Sequence, residues 1–346
     1  MPPKSQTRQS KKNSDTGYTI GIDLGGTKVA AALVDYSGRI LFETSRPTVP
    51  PQFKDADPKT LAKPSAADVK LHIAYVVNAL ADAALDCAQA LSKTEAKKIL
   101  GIGLASAGPM NIGKGEIIDP SNFSGWKKVA IVKLLAKALL KRGLKIPISF
   151  QNDAIAASLG EGWTGTAKGK NTYIVVTVGT GIGTGVILNG KPAQSAGMGS
   201  EWGHVISNSF GFLSSADKPY DREVEGIASG TGLVRQAKLR GFEFGHAHDI
   251  ADAARAGDKN ALALFAGASE ALAGLFYTLS LGFNPEVFAV SGGMIAIQDL
   301  FLPQAIALYN EAICVKYPSF KKQIKISKLG TKAGVIGAAR LPRLET

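Results

Sequence analysis

The chain has 346 residues, 45% of them apolar and 39 of them glycine, which leaves room for two domains with a core each and fits a loop-rich α/β protein. Its two cysteines, Cys87 and Cys314, lie far apart in apolar helical patterns; this excludes a disulfide framework and paired-cysteine metal ligation, and a reducing cytoplasm is the expected setting. No 18-residue apolar run is read as a membrane span and the polar N-terminus has no apolar secretory core, so no membrane association is expected.

The net charge of +12 starts in a basic tail, residues 1–17, with Lys4, Arg8, Lys11 and Lys12 among polar residues; the tail is expected to be disordered. Further basic residues in 127–145 and 316–328 alternate with apolar ones and read as solvated faces, with attraction of anions as the second reading. Three strands follow the tail, at 18–23, 29–35 and 39–44, with Tyr36-Ser37-Gly38 as the second turn. Residues 46–64 hold five prolines and read as a surface insertion. Ser65, with Asp68 three residues on, caps a helix whose stripe is Val69, Ile73, Val76, Val77, Leu80, Ala84, Leu85 and Ala88. A strand at 99–105 ends in Ser106-Ala107-Gly108-Pro109, and 129–140 is an amphipathic helix. A strand at 146–150 then delivers Gln151-Asn152-Asp153 to the start of a small-residue helix, 154–161. The theme recurs: a second glycine hairpin at 179–185, a loop with Glu201-Trp202-Gly203-His204, helices from residue 224, a strand at 287–291 running into Gly292-Gly293, and a last helix at 334–341. This order resembles an internal duplication.

Two glycine hairpins carry the chemistry. Asp23-Leu24-Gly25-Gly26-Thr27-Lys28 and Gly179-Thr180-Gly181-Ile182-Gly183-Thr184-Gly185 each join two apolar strands and expose backbone N–H groups without a side chain in the way, which suits a phosphate. Asp23 adds a carboxylate able to hold Mg²⁺; the alternative is a plain turn. A dinucleotide fingerprint is excluded at the second hairpin, because a strand follows where a helix is required, and 165–171 is one residue short of a P-loop. Asp153 has the form of a general base at a strand's carboxyl end, and Asn152-Asp153 has equally the form of a helix N-cap. Glu201, His204 and Glu225 are of the types that recognise sugar hydroxyls, while taken alone His204 reads as a satisfied loop histidine and Glu225 as a surface or first-turn helical glutamate; His204 has no cysteine or second histidine near enough in sequence for zinc.

In order and spacing these motifs resemble the ROK sugar kinases (repressor, open reading frame, kinase) over residues 18–342, together with Ala107-Gly108-Pro109, Asn122-Phe123-Ser124-Gly125-Trp126 and Glu225-Gly226-Ile227-Ala228-Ser229-Gly230. The resemblance implies a two-lobed actin–hexokinase (ribonuclease H-like) α/β fold with a mixed sheet and flanking helices in each lobe. A small lobe at 18–150 would be joined by the C-terminal helix, about 332–342, packing back on it, and 151–331 would form the large lobe. It implies Asp153 as the base on a hexose hydroxyl, with Gly108, Asn122, Asn152, Glu201, His204 and Glu225 around the sugar. Gly25, Gly26, Thr27, Lys28, Gly179, Thr180, Gly181 and Gly183 would hold the ATP phosphates, Gly292 and Gly293 would line the adenosine site, and Asp23 would hold Mg²⁺ through water. One departure stands out. Family members mostly carry a C-x-C-G-x-x-G-C zinc element after the Gly-His pair, and residues 205–224 contain no cysteine, so no structural zinc is expected.

The expected activity is ATP-dependent phosphorylation of a hexose, glucose first, with fructose, mannose or an N-acetylhexosamine as alternatives and polyphosphate as an alternative donor. A sugar-responsive regulator of the same family is the competing class. It needs a DNA-binding domain ahead of the first hairpin, where 17 tail-like residues stand, so no specific nucleic acid is expected. A cytoplasmic homodimer is expected.

Overall fold

The computed structural model describes residues 17–53, 64–120, 122–193, 200–207 and 219–345. The basic tail ahead of residue 17 and the middle of the proline-rich insertion lie outside them.

The chain divides into two units, the first taking residues up to Gly165 and from Lys332 on. In it, β1 (Tyr18–Leu24), β2 (Lys28–Val34) and β3 (Ile40–Pro47) form an antiparallel meander. The meander is longer than its alternation indicates, since β3 runs into the first proline of the insertion. Next come α1 (Ala66–Gln89), the single turn α2 (Lys93–Ala96), β4 (Ile99–Ser106), and a small sheet of β5 (Met110–Asn111), β6 (Glu116–Ile118) and β7 (Lys128–Val129). The segment closes with α3 (Ile131–Lys141), β8 (Ile148–Asn152) and α4 (Asp153–Trp163). The main sheet has the order β3-β2-β1-β4-β8, with β1, β4 and β8 parallel.

Period-two alternation divides the two faces of this sheet. Ile20, Ile22, Ile102 and Leu104 point into a core built with Val76, Leu80, Ala84 and Cys87 of α1 and Leu135 of α3. Ser65 and Asp68 form the expected capping box on α1, the Ser65 Oγ accepting from the Asp68 N–H at 3.2 Å, a contribution of about 1 kcal/mol. The opposite face carries Gly21, Gly103 and Ala105, and the C-terminal helix (Ala333–Leu344) lies on it. A Cβ on Gly103 would overlap the Ala338 carbonyl, so glycine is what lets helix backbone and strand backbone meet. The same helix packs on α4, where a Cβ on Gly337 would overlap the carbonyl of Ala156. That close packing moves the boundary. The first unit extends through α4 to Gly165 rather than ending at residue 150.

The second unit spans Thr166–Ala193 and Ser200–Thr331. It contains β9 (Tyr173–Val178), β10 (Ile182–Leu188), β11 (Lys191–Pro192), α5 (Val224–Ala228), α6 (Gly230–Leu239), α7 (Ala247–Arg255), α8 (Lys259–Phe283), β12 (Val287–Ser291), α9 (Leu302–Lys316) and β13 (Gln323–Ile326). Its sheet has the order β11-β10-β9-β12-β13, again an antiparallel meander followed by two parallel strands. The duplication hinted at by the two hairpins is therefore a duplication of topology. Val176, Val178, Phe288 and Val290 meet Leu272, Phe276 and Leu279 of α8 in its core. By length and composition α1 and α8 are each apolar enough to cross a membrane, but about half of each apolar stretch is buried inside the protein. Cys87 is buried in α1, and Cys314 is exposed on α9.

Candidate active site

In the first unit three parallel strands end side by side. Asp23 on β1 is in register with Ala105 on β4, which is in register with Gln151 on β8. The residues just beyond these ends are the hairpin Gly25–Lys28, Gly108, and Asn152-Asp153, at the carboxyl edge where α/β sheets bind ligands. Asn152 caps α4, its Oδ1 accepting from the N–H groups of Ala154 at 2.9 Å and Ile155 at 3.1 Å. Asp153 follows as the first helical residue, and its own Oδ1 accepts from the Ala154 N–H at 2.8 Å. The cap reading of this pair holds for the asparagine, and the aspartate lies just beyond it.

Burial raises the Asp153 pKa above the ordinary carboxylate range, against the Ala154 N–H bond that lowers it. Asp23 lies on the glycine face of the sheet, where a Cβ on Gly334 of the C-terminal helix would meet its carboxylate. Its pKa is pushed up to about 7, first by burial and then by the charge of Asp153, with Lys28 pulling the other way. A buried carboxyl in the field of a second carboxylate forms a site that a cation relieves.

The first hairpin is shaped by a residue with no local sequence signal. Thr48, fully buried, donates its hydroxyl to the Gly26 carbonyl at 2.7 Å and its N–H to the Thr27 carbonyl at 3.0 Å. In a planar trans peptide the N–H points opposite to the carbonyl, so the N–H groups of Thr27 and Lys28 face away from Thr48. Gly25 does not join them, because its N–H closes the hairpin onto the Lys28 carbonyl at 3.0 Å. Thr48 is tied through its carbonyl to His72 Nε2 at 3.0 Å, and His72 packs edge-on against Phe123 and Trp126, themselves stacked at 4.6 Å and buried. These two aromatic anchors fix the loop carrying Asn122, which packs against Gly26. Burial lowers the His72 pKa, with the Thr48 bond opposing, so the ring bridging hairpin and loop is neutral near pH 7.

The second unit repeats the device. The Gly179 carbonyl accepts from the Gly230 N–H at 2.8 Å, and the Thr180 carbonyl accepts from the Thr231 hydroxyl at 2.6 Å and its N–H at 3.3 Å. The start of α6 thus holds the loop carbonyls, which turns the N–H groups of Thr180 and Gly181 the other way. Two glycines of this motif already spend their N–H groups within the hairpin. Gly179 gives its N–H to the Gly181 carbonyl at 2.9 Å, and Gly183 lies inside β10 opposite Thr177, whose hydroxyl takes its N–H at 3.2 Å. Gly292, at φ +100°, turns the chain after β12 against Val178, and a Cβ there would overlap that backbone. Gly293 lies beside Gly179.

Glu201, His204 and Glu225 come together in the same unit. Trp202–His204 form a short helical turn, held where the Trp202 N–H donates to the Thr184 hydroxyl at 3.0 Å. Glu225, in the first turn of α5, accepts from the Ile182 N–H at 2.7 Å, which ties it to the glycine hairpin. His204 Nδ1 meets the Glu223 carboxylate at 2.8 Å. Burial alone would lower the His204 pKa, but the Glu223 bond and the charges of Glu225, Glu223 and Glu201 outweigh it and raise it.

Each unit therefore gathers one carboxylate-bearing set of polar groups beside one backbone hairpin that presents N–H donors. The ROK family description matches residues 19–344. A glucokinase of Streptomyces coelicolor is 30% identical, the match covering 94% of this chain and 98% of that protein. The ROK hexokinase of Thermus thermophilus superposes with a TM-score of 0.74 at 28% identity, covering 95% and 98% of the two chains. A ROK glucokinase of Streptomyces griseus, crystallised with glucose and AMPPNP, gives a TM-score of 0.70 at 27% identity over 95% of this chain and all of its own. With the paired five-stranded sheets of the actin–hexokinase fold and a family match spanning nearly every described residue, the chain belongs to the ROK family.

Proposed function

We propose that the protein is an ATP-dependent hexokinase that transfers the γ-phosphoryl group to a primary sugar hydroxyl, with glucose as its substrate. The observation that carries this reading is Asp153: a carboxyl of raised proton affinity at the first turn of α4, beside Asn152, and one whose charge acts on Asp23. A sugar hydroxyl attacks only as its proton leaves. In this reading Asp153 takes that proton, the hydroxyl oxygen bonds to the γ-phosphorus, and the bond to the ADP oxygen breaks.

Gly108, Asn122, Asn152, Glu201, His204 and Glu225 are assigned to the sugar. The N–H groups of Thr27, Lys28, Thr180 and Gly181 are assigned to the phosphates, and Gly292 and Gly293 to the adenosine. Mg²⁺ fits the residues present: it takes one or two carboxylates plus substrate phosphates, and Asp23 has the raised proton affinity that such a charge relieves. When bound it supplies neutralisation of the phosphate charge. The protein is further proposed to be a cytoplasmic homodimer.

The test is ADP release across a panel of glucose, fructose, mannose and N-acetylhexosamines, with ATP and polyphosphate as donors. The expected outcome is the highest kcat/KM with glucose and ATP; no turnover of any hexose with either donor sinks the reading. The tie between Glu225 and the hairpin gives a second prediction. A Cβ at position 181 would collide with the Glu225 carboxylate, so Gly181→Ala is expected to lower kcat/KM at least about tenfold, the cost of one charge-assisted hydrogen bond. Because one clash disturbs both groups, KM should rise for hexose and nucleotide together, which steady-state kinetics with each substrate varied will read.

A further inference from the structure

Where the cysteine element of other family members would follow His204, residues 205–224 lack cysteine, and among the described residues no group of three His, Cys, Asp or Glu is arranged to hold a metal. Ordinary protein groups hold the chain there. Ile206 and Glu223 form an antiparallel bridge, flanked by the Ser207 N–H donating to the Arg222 carbonyl at 2.8 Å and the Val224 N–H donating to the Val205 carbonyl at 3.0 Å. Asp221 pairs with the Arg235 guanidinium, which sits 5.4 Å over the Tyr220 ring, and the Gln236 amide donates to the Asp221 carbonyl at 3.0 Å. This ladder brings the Glu223 carboxylate, largely covered, to 2.8 Å from Nδ1 of the half-exposed His204.

We infer that Glu223 is a positioning residue for hexose binding, fixing His204 with its proton on Nδ1 and its Nε2 presented to the sugar hydroxyls, in place of a cysteine-bound metal. The inference rests on the hexokinase reading for the identity of the ligand, but its geometry does not. A carboxylate on Nδ1 selects one tautomer and one ring orientation, as a carboxylate does behind a metal-ligating or catalytic histidine. Among the described residues, the charged groups acting on the ring are Glu201, Glu223 and Glu225, all acidic, and each favours the imidazolium. Of the three, Glu223 makes the hydrogen bond, so its neutral isostere changes the ring most. Glu225 is committed to the Ile182 N–H.

The experiment compares wild type with Glu223→Gln, His204→Gln and the double variant. The readouts are hexose affinity by calorimetry without nucleotide, KM for hexose and for ATP, the His204 titration by NMR, and zinc content. Expected are a His204 pKa that falls in Glu223→Gln, hexose affinity weakened about tenfold, an unchanged KM for ATP, and less than a twofold further effect of Glu223→Gln in the His204→Gln background. Additive losses in the double variant, an unmoved His204 titration, unchanged hexose affinity in Glu223→Gln, or stoichiometric zinc in the purified wild type each overturn the inference. A wild type that binds no hexose at all sinks the hexokinase reading itself. If Glu223→Gln alone fails to fold, His204→Gln still decides: hexose binding unaffected by that change overturns the inference.

Discussion

Asp153→Asn is expected to lose at least about 10²-fold in turnover while binding hexose within a few-fold of wild type, the signature of a group needed when the proton moves. The asparagine carbonyl can keep the bond that Asp153 Oδ1 accepts from the Ala154 N–H, and the Asn152 cap is untouched, so α4 should start as before. What disappears is the proton acceptor. Its strength comes mainly from burial, which raises its proton affinity above that of an ordinary aspartate and leaves it deprotonated less readily as pH falls. The acid limb of kcat/KM in wild type should accordingly lie above the usual carboxylate range, and the residual activity of the variant should keep only the part of that limb that belongs to Asp23. Initial rates over pH 4–9 with calorimetric hexose affinity make the check. Wild-type turnover in the asparagine variant removes Asp153 from the chemistry, and an equal loss of binding and turnover makes it a sugar contact only.

Much of this site is legible in the sequence, for identifiable reasons. Glycine hairpins between apolar runs and a short strand ending in Asn-Asp are local patterns, and the structure puts them at strand ends as such patterns require. Which glycines donate is not local. Gly25, Gly179 and Gly183 commit their N–H groups to closing or pairing the hairpins, and the peptides that remain are oriented by Thr48 and Thr231, 21 and 51 residues from the threonines Thr27 and Thr180 whose carbonyls they hold. No period or composition links such partners. The strands β5, β6 and β7 are two or three residues long, too short for alternation to show, yet they frame the loop of Asn122. The boundary at residue 150 missed α4 because the helix is held by the C-terminal helix, some 180 residues later, through contacts that only glycine permits. Glu223 reads in sequence as one more charge before Glu225, and only the ladder between Ile206 and Glu223 reveals what it faces.

Asp23→Asn is expected to move activity and stability in opposite directions. The carboxyl titrates near 7 in the folded protein, against an ordinary 3.8, because burial and the Asp153 charge both oppose its ionisation. Its folded-state pKa is raised, so the folded state binds this proton more tightly than the unfolded chain does. Its contribution to stability is therefore fully present below about pH 4, is lost progressively as pH climbs through about 7, and is constant above that. An asparagine carries no charge to bury. The variant should match wild type near pH 4 and melt on the order of 5 °C higher at pH 8 in the absence of nucleotide and magnesium. Activity should go the other way, with kcat/KM for the nucleotide falling at least about 10²-fold, since the proposed role of Asp23 depends on its negative charge facing the phosphates. Thermal melts at pH 4, 6 and 8 with kinetics at saturating magnesium separate the two effects. A variant no more stable at pH 8 contradicts a buried Asp23 carboxyl burdened by the Asp153 charge, and one with unchanged kinetics contradicts a metal-holding role for residue 23. The two contradictions are independent, because the strain belongs to the fold and the activity to the ligand that the strain makes room for.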